Sequence, residues 1–430
     1  MRLLNTETIQ LHHFVEHEEP VYAILSHRWE QDEVTFKDLT KRRNPDSAGR
    51  KKVTRCCSFV KDLGFKWVWI DTCCIDKSSS AELSESINSM HKWYRGAKVC
   101  FAYLSDVACR PDESERTYEE FMEEQDLGQS ISVHTTYALR KSAWFTRGWT
   151  LQELIAPNSV LFVDTSWHIF GSTNTLGRVV SDITGIADVA RQYKMNESVA
   201  TKMSWASRRR CTRPEDLAYS LMGLFDVNMP LLYGEGGKSA FRRLQLEILR
   251  TSGDESIFAW HPTSGSGSGS ILASSPSSFS HSSNITLFEP FTPRPPYAMT
   301  NKGLEIHTVL LQGCGTEGSM EKNRIYFMPL NCVRGKEVLP LVIRLQRISS
   351  SRYTRAPALL DFNEGFDRWP EESELGPEGR SLPGTIFIDD RHRHENFSGD
   401  GIYDGFGDRW KQFRSLRGAV DQCPSTNCQP

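Results

Sequence analysis

At 430 residues, with 38% hydrophobic and 24% charged content, the chain is long enough for two or three domains with their own cores and reads as a soluble globular protein. A net charge of -3 gives no electrostatic case for nucleic acid or an anionic membrane, and no apolar stretch approaches the roughly 18 residues of a membrane span. The opening Met1-Arg-Leu-Leu-Asn-Thr-Glu7 is too polar for a secretory signal, and the 11 cysteines, with adjacent pairs at Cys56-Cys57 and Cys73-Cys74 and no C-x-x-C, fit thiols of a reducing, cytoplasmic setting rather than a disulfide framework or structural zinc.

Residues 21–25 are a short run of strand formers. Over 51–63, Val53, Cys57, Val60 and Leu63 fall at helical spacing, and Gly64 comes next as a stop. A second strand is predicted over 67–70. Ser79 and Glu82 have capping-box spacing ahead of a helix whose Leu83, Ile87, Met90 and Tyr94 share one face, and a third strand is predicted over 99–104. Strand, helix, strand, helix, strand predicts a parallel sheet with helices on its faces. The Glu-rich residues 110–130 read as a solvated insertion. A turn and helix over 144–154 precede a strand over 160–163 and helices over about 173–185, 198–207, 214–225 and 237–251. Strands are predicted over 304–311, 324–330, 338–345 and 385–389. The chain is therefore expected to divide into an α/β domain (1–165), a helical extension (166–260), a Gly/Ser-rich linker or loop (261–283) and a β-rich C-terminal domain (284–430).

Three blocks carry polar residues that a plain core does not need: Tyr22-Ala-Ile-Leu-Ser-His-Arg-Trp29, Trp67-Val-Trp-Ile-Asp-Thr-Cys-Cys-Ile-Asp76 and Arg147-Gly-Trp-Thr-Leu-Gln-Glu-Leu154. The first two place a polar cluster where a strand ends, the edge at which open α/β sheets bind ligands. Arg28 suits a phosphate or a carboxylate and Trp29 a stacked ring, while a structural ion pair accounts for that loop equally well. Asp71 suits ribose hydroxyls or a helix cap, and Asp76 suits a cap or turn. Cys73 or Cys74 with His27 would make a nucleophile pair, although buried structural cysteine is commoner. Trp149 and Glu153 stand i, i+4 on one helical face, where the indole would desolvate the carboxyl and raise its pKa. The plainer alternative is a core tryptophan with Glu153 salt-bridged to an arginine. Gly234-Glu-Gly-Gly-Lys-Ser239 lacks the first glycine of a phosphate loop, since Leu232 stands there, and reads as a helix-entry turn. Asp389-Asp-Arg-His-Arg-His-Glu395 interleaves arginines with metal-capable groups and reads as a solvated loop, so no metal site is expected.

Taken in order, the three blocks resemble the fungal heterokaryon-incompatibility (HET) domain family over roughly residues 20–160. Met1-Arg-Leu-Leu-Asn-Thr6 resembles that family's usual start, and Trp205-Ala-Ser-Arg-Arg209 through Tyr233-Gly-Glu-Gly236 resembles the segment commonly found after the domain. The stretch from Asp254-Glu-Ser-Ile-Phe-Ala-Trp260 onward resembles an uncharacterised C-terminal domain often attached to it. The resemblance implies non-self recognition, programmed cell death and fungal innate immunity. It also implies a flavodoxin-like sheet of the Toll/interleukin-1 receptor (TIR) kind. Some TIR domains cleave NAD at the nicotinamide–ribose bond, with a glutamate in a Trp-x-x-x-Glu-like helix start after a Ser-x-Trp approach. Ser142-Ala-Trp144 and Trp149-Thr-Leu-Gln-Glu153 are similar in arrangement. By that resemblance Glu153 is the candidate catalytic residue, and Ser26, Arg28, Trp29, Asp71, Cys73, Asp76, Arg147 and Trp149 are candidate ligand-binding residues. No cofactor is implied, NAD being a substrate, and Arg28, Asp71 and Glu153 are expected to meet across the sheet edge. The alternative expectation is a non-enzymatic signalling module that self-assembles and recruits protein partners.

Overall fold

The run Ala23–His27 is buried at every position, and the N-terminal sheet is built outward from it. The computed structural model describes residues 1–15, 17–41, 43–109, 118–123, 131–187, 189, 197–261, 269–288, 294–312, 325–337, 339–356 and 381–388. The chain divides into two units: Met1–Ile248 with Ser274–Ser283, and Leu249–Ala273 with Asn284–Pro430.

In chain order the first unit contains strands β1 (Arg2–Asn5), β2 (Leu11–His13) and β3 (Ala23–His27), helices α1 (Phe36–Thr40) and α2 (Ala48–Asp62), β4 (Trp67–Ile70), α3 (Asp71–Cys74), α4 (Ser80–Gly96) and β5 (Val99–Tyr103). Next come α5 (Tyr118–Glu123), α6 (Val133–Lys141), α7 (Thr150–Ile155), β6 (Val160–Val163), β7 (Ile169–Ser172), α8 (Gly177–Thr184), α9 (Val199–Ala206), α10 (Asp216–Tyr219) and α11 (Gly237–Thr251). The helix expected over 214–225 is the short α10 and then a 3-10 turn at Met222–Leu224.

The sheet has seven strands in the order β2-β1-β4-β3-β5-β6-β7. Its four central strands are parallel, as the alternation of elements predicts. The whole sheet is mixed, however: β1 runs antiparallel on β4, β2 on β1 and β7 on β6. These three outer strands escape a reading by strand formers for physical reasons. β1 buries Leu3, Leu4 and the polar Asn5, β2 exposes both its histidines, and β7 contains Gly171 packed against Leu176. In sheet order the parallel strands are second, first, third and fourth in the chain, so the winding reverses between β3 and β5. The crevice outside the carboxyl ends at such a reversal is where open α/β sheets bind ligands.

Helix α2 begins at Ser47, whose hydroxyl accepts from Arg50 N, and buries Val53, Cys56, Cys57 and Val60. It ends where Gly64 takes φ 84°, with Phe65 N reaching back to Val60 O at 3.1 Å. At the start of α4, Ser79 accepts from Glu82 N, but the other half of the capping box is not made. Glu82 instead accepts from Asp76 N at 2.7 Å and pairs with Arg2, tying β1 to the turn before α4. Trp69, Tyr94, Phe101, Trp144 and Phe162 are the large fully buried side chains around the central strands.

The second unit holds β8 (Ile285–Leu287), β9 (Ala298–Thr300), β10 (Gly303–Gln312), β11 (Ile325–Pro329), β12 (Cys332–Arg334), β13 (Val342–Arg347), β14 (Arg352–Arg355) and β15 (Ser381–Ile388). Six of these form a sheet in the order β11-β13-β14-β15-β10-β9, and β10 also pairs with β11. The sheet therefore closes into a small barrel, with Leu304, Ile306, Thr308 and Leu310 of β10 buried at alternate positions. Glu255, nearly fully buried, accepts from Arg294 at 2.7 Å and from Asn331 N at 2.9 Å. Arg355 donates to the carbonyls of Phe258 and Trp260 and stacks on the Trp260 ring. Most of the acidic stretch 110–130, Gly/Ser positions 262–268, and the Asp389–Glu395 and Cys423–Cys428 segments lie outside the described residues. Among the described residues no helix is long and apolar enough to cross a membrane.

A Cβ at Gly64 has open space, so only the left-handed backbone penalises it. Gly64→Ala is expected to cost about 1 kcal/mol in denaturant unfolding, with the midpoint lowered and the slope unchanged.

Candidate functional site

Strand β3 delivers Ser26 and His27 at its carboxyl end, and successive strand residues face opposite sides of a sheet. On one side, the Ser26 hydroxyl donates to Glu153 Oε2 and accepts from Trp144 Nε1 at 2.8 Å. Trp144 is held by a 3-10 turn, Ala143–Thr146, whose start is fixed by Asp106: Ser142 Oγ donates to it at 2.7 Å and Ala143 N at 2.8 Å. Thr150 Oγ1 donates to Trp144 O at 2.6 Å, which joins that turn to α7. Every residue of α7 is buried, so Glu153 points inward with no surface to escape to. Cys100 Sγ lies 3.7 Å from Glu153 O. Among the described residues Glu153 makes no ion pair. Burial, aided by the charge of Asp71, pushes its carboxyl up to about 8, against the hydrogen bonds of Ser26 and Tyr94 and the charge of Arg147.

On the other side, His27 is buried with Nε2 3.7 Å from Glu33 Oε2 and Nδ1 4.0 Å from Asp71 Oδ1, and neither ring nitrogen makes a hydrogen bond. Burial opposes the charge of Glu33, but His27 and the paired Lys52 outweigh it and bring the carboxyl down to about 2. Asp71 Oδ2 accepts from Trp29 Nε1 at 2.8 Å and lies 3.7 Å from Lys77 Nζ. That ammonium sits 3.4 Å from the centroid of the Trp29 ring, a cation–π contact, and Trp29 remains 41% exposed.

The structure thus bonds Ser26 to Glu153 and Trp29 to Asp71, and brings the charge of Asp71 within range of Glu153. Arg28 is exposed and makes no hydrogen bond or ion pair among the described residues. Cys73 is fully buried in α3, its Sγ 3.8 Å from Ile70 O, and the Cys74 hydrogen bond with burial pushes its thiol up, away from nucleophilic character. Asp76 holds the turn into α4, accepting from Ser78 N at 3.0 Å and Ser78 Oγ at 2.6 Å. Trp149 hydrogen-bonds Asp216, so the indole in the Glu153 network is Trp144.

The sequence reading left out the residues that brace this arrangement. Arg209 is buried and donates to Arg147 O at 2.8 Å, Thr150 Oγ1 at 3.0 Å and Trp205 O at 3.2 Å. Burial lowers its guanidinium to about 10 while the charge of Glu153 supports it. Gly148 N donates to Arg210 O at 3.0 Å, and a Cβ on Gly148 would fall 2.3 Å from Cys211 Sγ. Asp216 also accepts from Tyr233 Oη at 3.0 Å. Glu215 accepts from Gly234 N and Gly236 N, making that glycine-rich segment the entry turn of α11. The sequence signal for these contacts is the pair of stretches Trp205–Arg209 and Tyr233–Gly236, whose residue spacing by itself announces no chemistry.

Residues 22–153 match the family model described as "Heterokaryon incompatibility protein (HET)". These residues, less than a third of the chain, are therefore similar to the HET family. The match starts at the first residue of the Tyr22 block and ends on Glu153. Residues 239–267 match a second model, "Domain of unknown function (DUF8212)". The chain is 43% identical over 238 residues to "Vegetative incompatibility protein HET-E-1" of Podospora anserina, covering 54% of this chain and 16% of that protein. The chain thus corresponds to a minor part of that relative's length. No solved structure matches.

Gly148→Ala is expected to destabilise the protein by about 1–3 kcal/mol through overpacking, and Cys211→Ala in the same chain should recover part of that loss in thermal unfolding. With its folded carboxyl at about 8 against an ordinary 4.5, Glu153 keeps a proton that the unfolded chain has released. Stability should therefore fall as pH rises between those values, by about 1.4 kcal/mol per pH unit from this group. Glu153→Gln should remove that slope, read from denaturant curves at pH 6, 7 and 8.

Proposed function

We propose that this chain is a heterokaryon-incompatibility effector that triggers programmed cell death, its HET domain being TIR-like in fold and cleaving the N-glycosidic bond of NAD or a related nucleotide. The match to the HET family and the likeness to a vegetative incompatibility protein support the biological role. The 2-1-3-4 order of the parallel strands supports the flavodoxin-like, TIR-like reading. One observation carries the chemistry: a buried carboxyl, Glu153, is held by Ser26 at the end of the strand where the winding reverses, with Asp71 nearby.

Breaking a ribose–base bond leaves an oxocarbenium-like sugar, and paired carboxyl groups divide the work of such cleavage. Asp71, bonded to Trp29 and paired with Lys77, supplies negative charge beside that sugar. Trp29 offers a ring for stacking, and the exposed Arg28 offers a fork for phosphate. The purified chain should release a free base, nicotinamide or adenine, from NAD or an adenine nucleotide, in dilute or crowded solution. Glu153→Ala should lower that rate by about 100-fold or more. No free base in any condition, or full turnover by Glu153→Ala, would remove the reading.

A second reading, assembly and partner recruitment, is favoured by α6. Val133 is 87% and Tyr137 64% exposed at i, i+4 on that helix, residue types that suit an interface. Expression in a fungal host separates the two. A folded Glu153→Gln variant that kills as well as the wild type would favour assembly, and one that no longer kills would favour catalysis.

A further inference from the structure

We propose that the bond cleaved is one to a neutral leaving base, such as the adenine of an adenine nucleotide, with Glu153 as the acid that protonates the departing base and Asp71 as the carboxylate that receives the proton of water. The inference rests on the N-glycosidic reading above and narrows it to a substrate class.

Different leaving groups make different demands on the site. Nicotinamide in NAD is a cationic pyridinium and departs neutral, so it requires no proton. It is helped by a negative carboxylate near the ribose. Adenine attached to ribose is neutral and departs as an anion unless a ring nitrogen is protonated, so its loss calls for a general acid. An acid of that kind is a carboxyl placed where its charged form is poorly supported.

Glu153 is placed in that way. It is 7% exposed, it lies on a fully buried helix, and among the described residues it has no ion pair. The groups facing it are Ser26 from β3, Asp71 from α3, Tyr94 from α4, Cys100 from β5, Arg147 before α7 and Arg209 after α9. Arg209, the buried cation among them, directs Nε to Trp205 O and Nη1 to Arg147 O and Thr150 Oγ1, and none of its nitrogens forms an ion pair with Glu153. Asp71 is dressed in the opposite manner, with the Trp29 N–H and the Lys77 ammonium at its carboxylate. Two carboxyl groups at one sheet edge thus stand in opposite surroundings, one buried without an ion pair and one beside an indole N–H and an ammonium, the pattern that marks an acid and a base. The upward shift of the Glu153 carboxyl to about 8 agrees with this division.

The step balances with water as the co-reactant. The bond from ribose C1′ to the base nitrogen breaks, its electron pair leaving with the base, and the Glu153 proton passes to a base ring nitrogen. Water adds to C1′ and its proton goes to Asp71. Transfer of that proton back to Glu153 through solvent restores the starting state.

The test compares leaving bases on the wild-type full chain, then on Glu153→Gln, with chromatography of free bases and a melting curve as a folding check. Adenosine 5′-monophosphate should lose adenine at least about 10-fold faster than NAD loses nicotinamide, with the rate falling as pH rises through about 8. Glu153→Gln should lose about 100-fold or more on adenosine 5′-monophosphate, yet less than about 10-fold on 7-methylguanosine 5′-monophosphate, whose base is already cationic. A merely structural role for Glu153 would depress both substrates equally and overturns the assignment. Nicotinamide release without adenine release overturns the inference and leaves the N-glycosidic reading standing. Release of no base from any substrate removes both. The wild-type comparison of bases decides even if the variant does not fold.

Discussion

A carboxyl buried without an ion pair is the constraint around which the first unit is organised. Such a group is tolerable only if it keeps its proton or its oxygens are hydrogen-bonded, and both conditions bear on Glu153. Ser26 meets one of them, and Ser26 in turn is held by the Trp144 indole. Trp144 depends on Asp106 through Ser142 and Ala143. A strand end, a 3-10 turn and a loop are thereby set by the demands of one side chain.

The opposite face of β3 shows the contrasting solution. Glu33 is also enclosed, but Lys52 and His27 stand against it, and its charge is kept. Asp71 stands between the two systems, touching the Trp29 and His27 side through contacts and the Glu153 side through its field. Two glutamates around the end of β3, Glu33 and Glu153, are thus held in opposite electrostatic states, which burial and pairing, rather than residue type, decide.

The alternation of apolar runs made the four parallel strands legible, since each packs a continuous buried segment. The outer strands were not legible because β1 and β2 mix leucines with polar residues, and in β7 Gly171 and Ser172 break the run begun by Ile169 and Phe170. Glu153 was legible as a candidate from its i, i+4 relation to Trp149 and from the resemblance in arrangement to TIR enzymes. Its indole neighbour was misassigned by helical spacing. Trp149 is i, i+4 to Glu153 in sequence, but Asp216 takes its N–H, and Trp144 reaches the site through Ser26. Arg209 was out of reach for a related reason: it donates to two backbone carbonyls and a threonine hydroxyl, and no sequence pattern announces such contacts. The barrel could not be foreseen because closure depends on β10 pairing with β11 as well as with β15 and β9, a property of pairing that no single strand records.

Because that barrel closes, it restricts how copies of this chain could gather. A sheet with open flanks offers its unpaired amides as a template on which further chains can add. In the barrel β10, β11, β13, β14 and β15 each have a partner on both sides, and the described flanks left over in this unit are three-residue strands, β9 and the separate pair β8 and β12. Fibre growth by strand addition has little to grip there. Any ordered stacking that involves this unit would be written in side-chain surfaces, and so would be open to disruption by single charge reversals that leave the barrel intact.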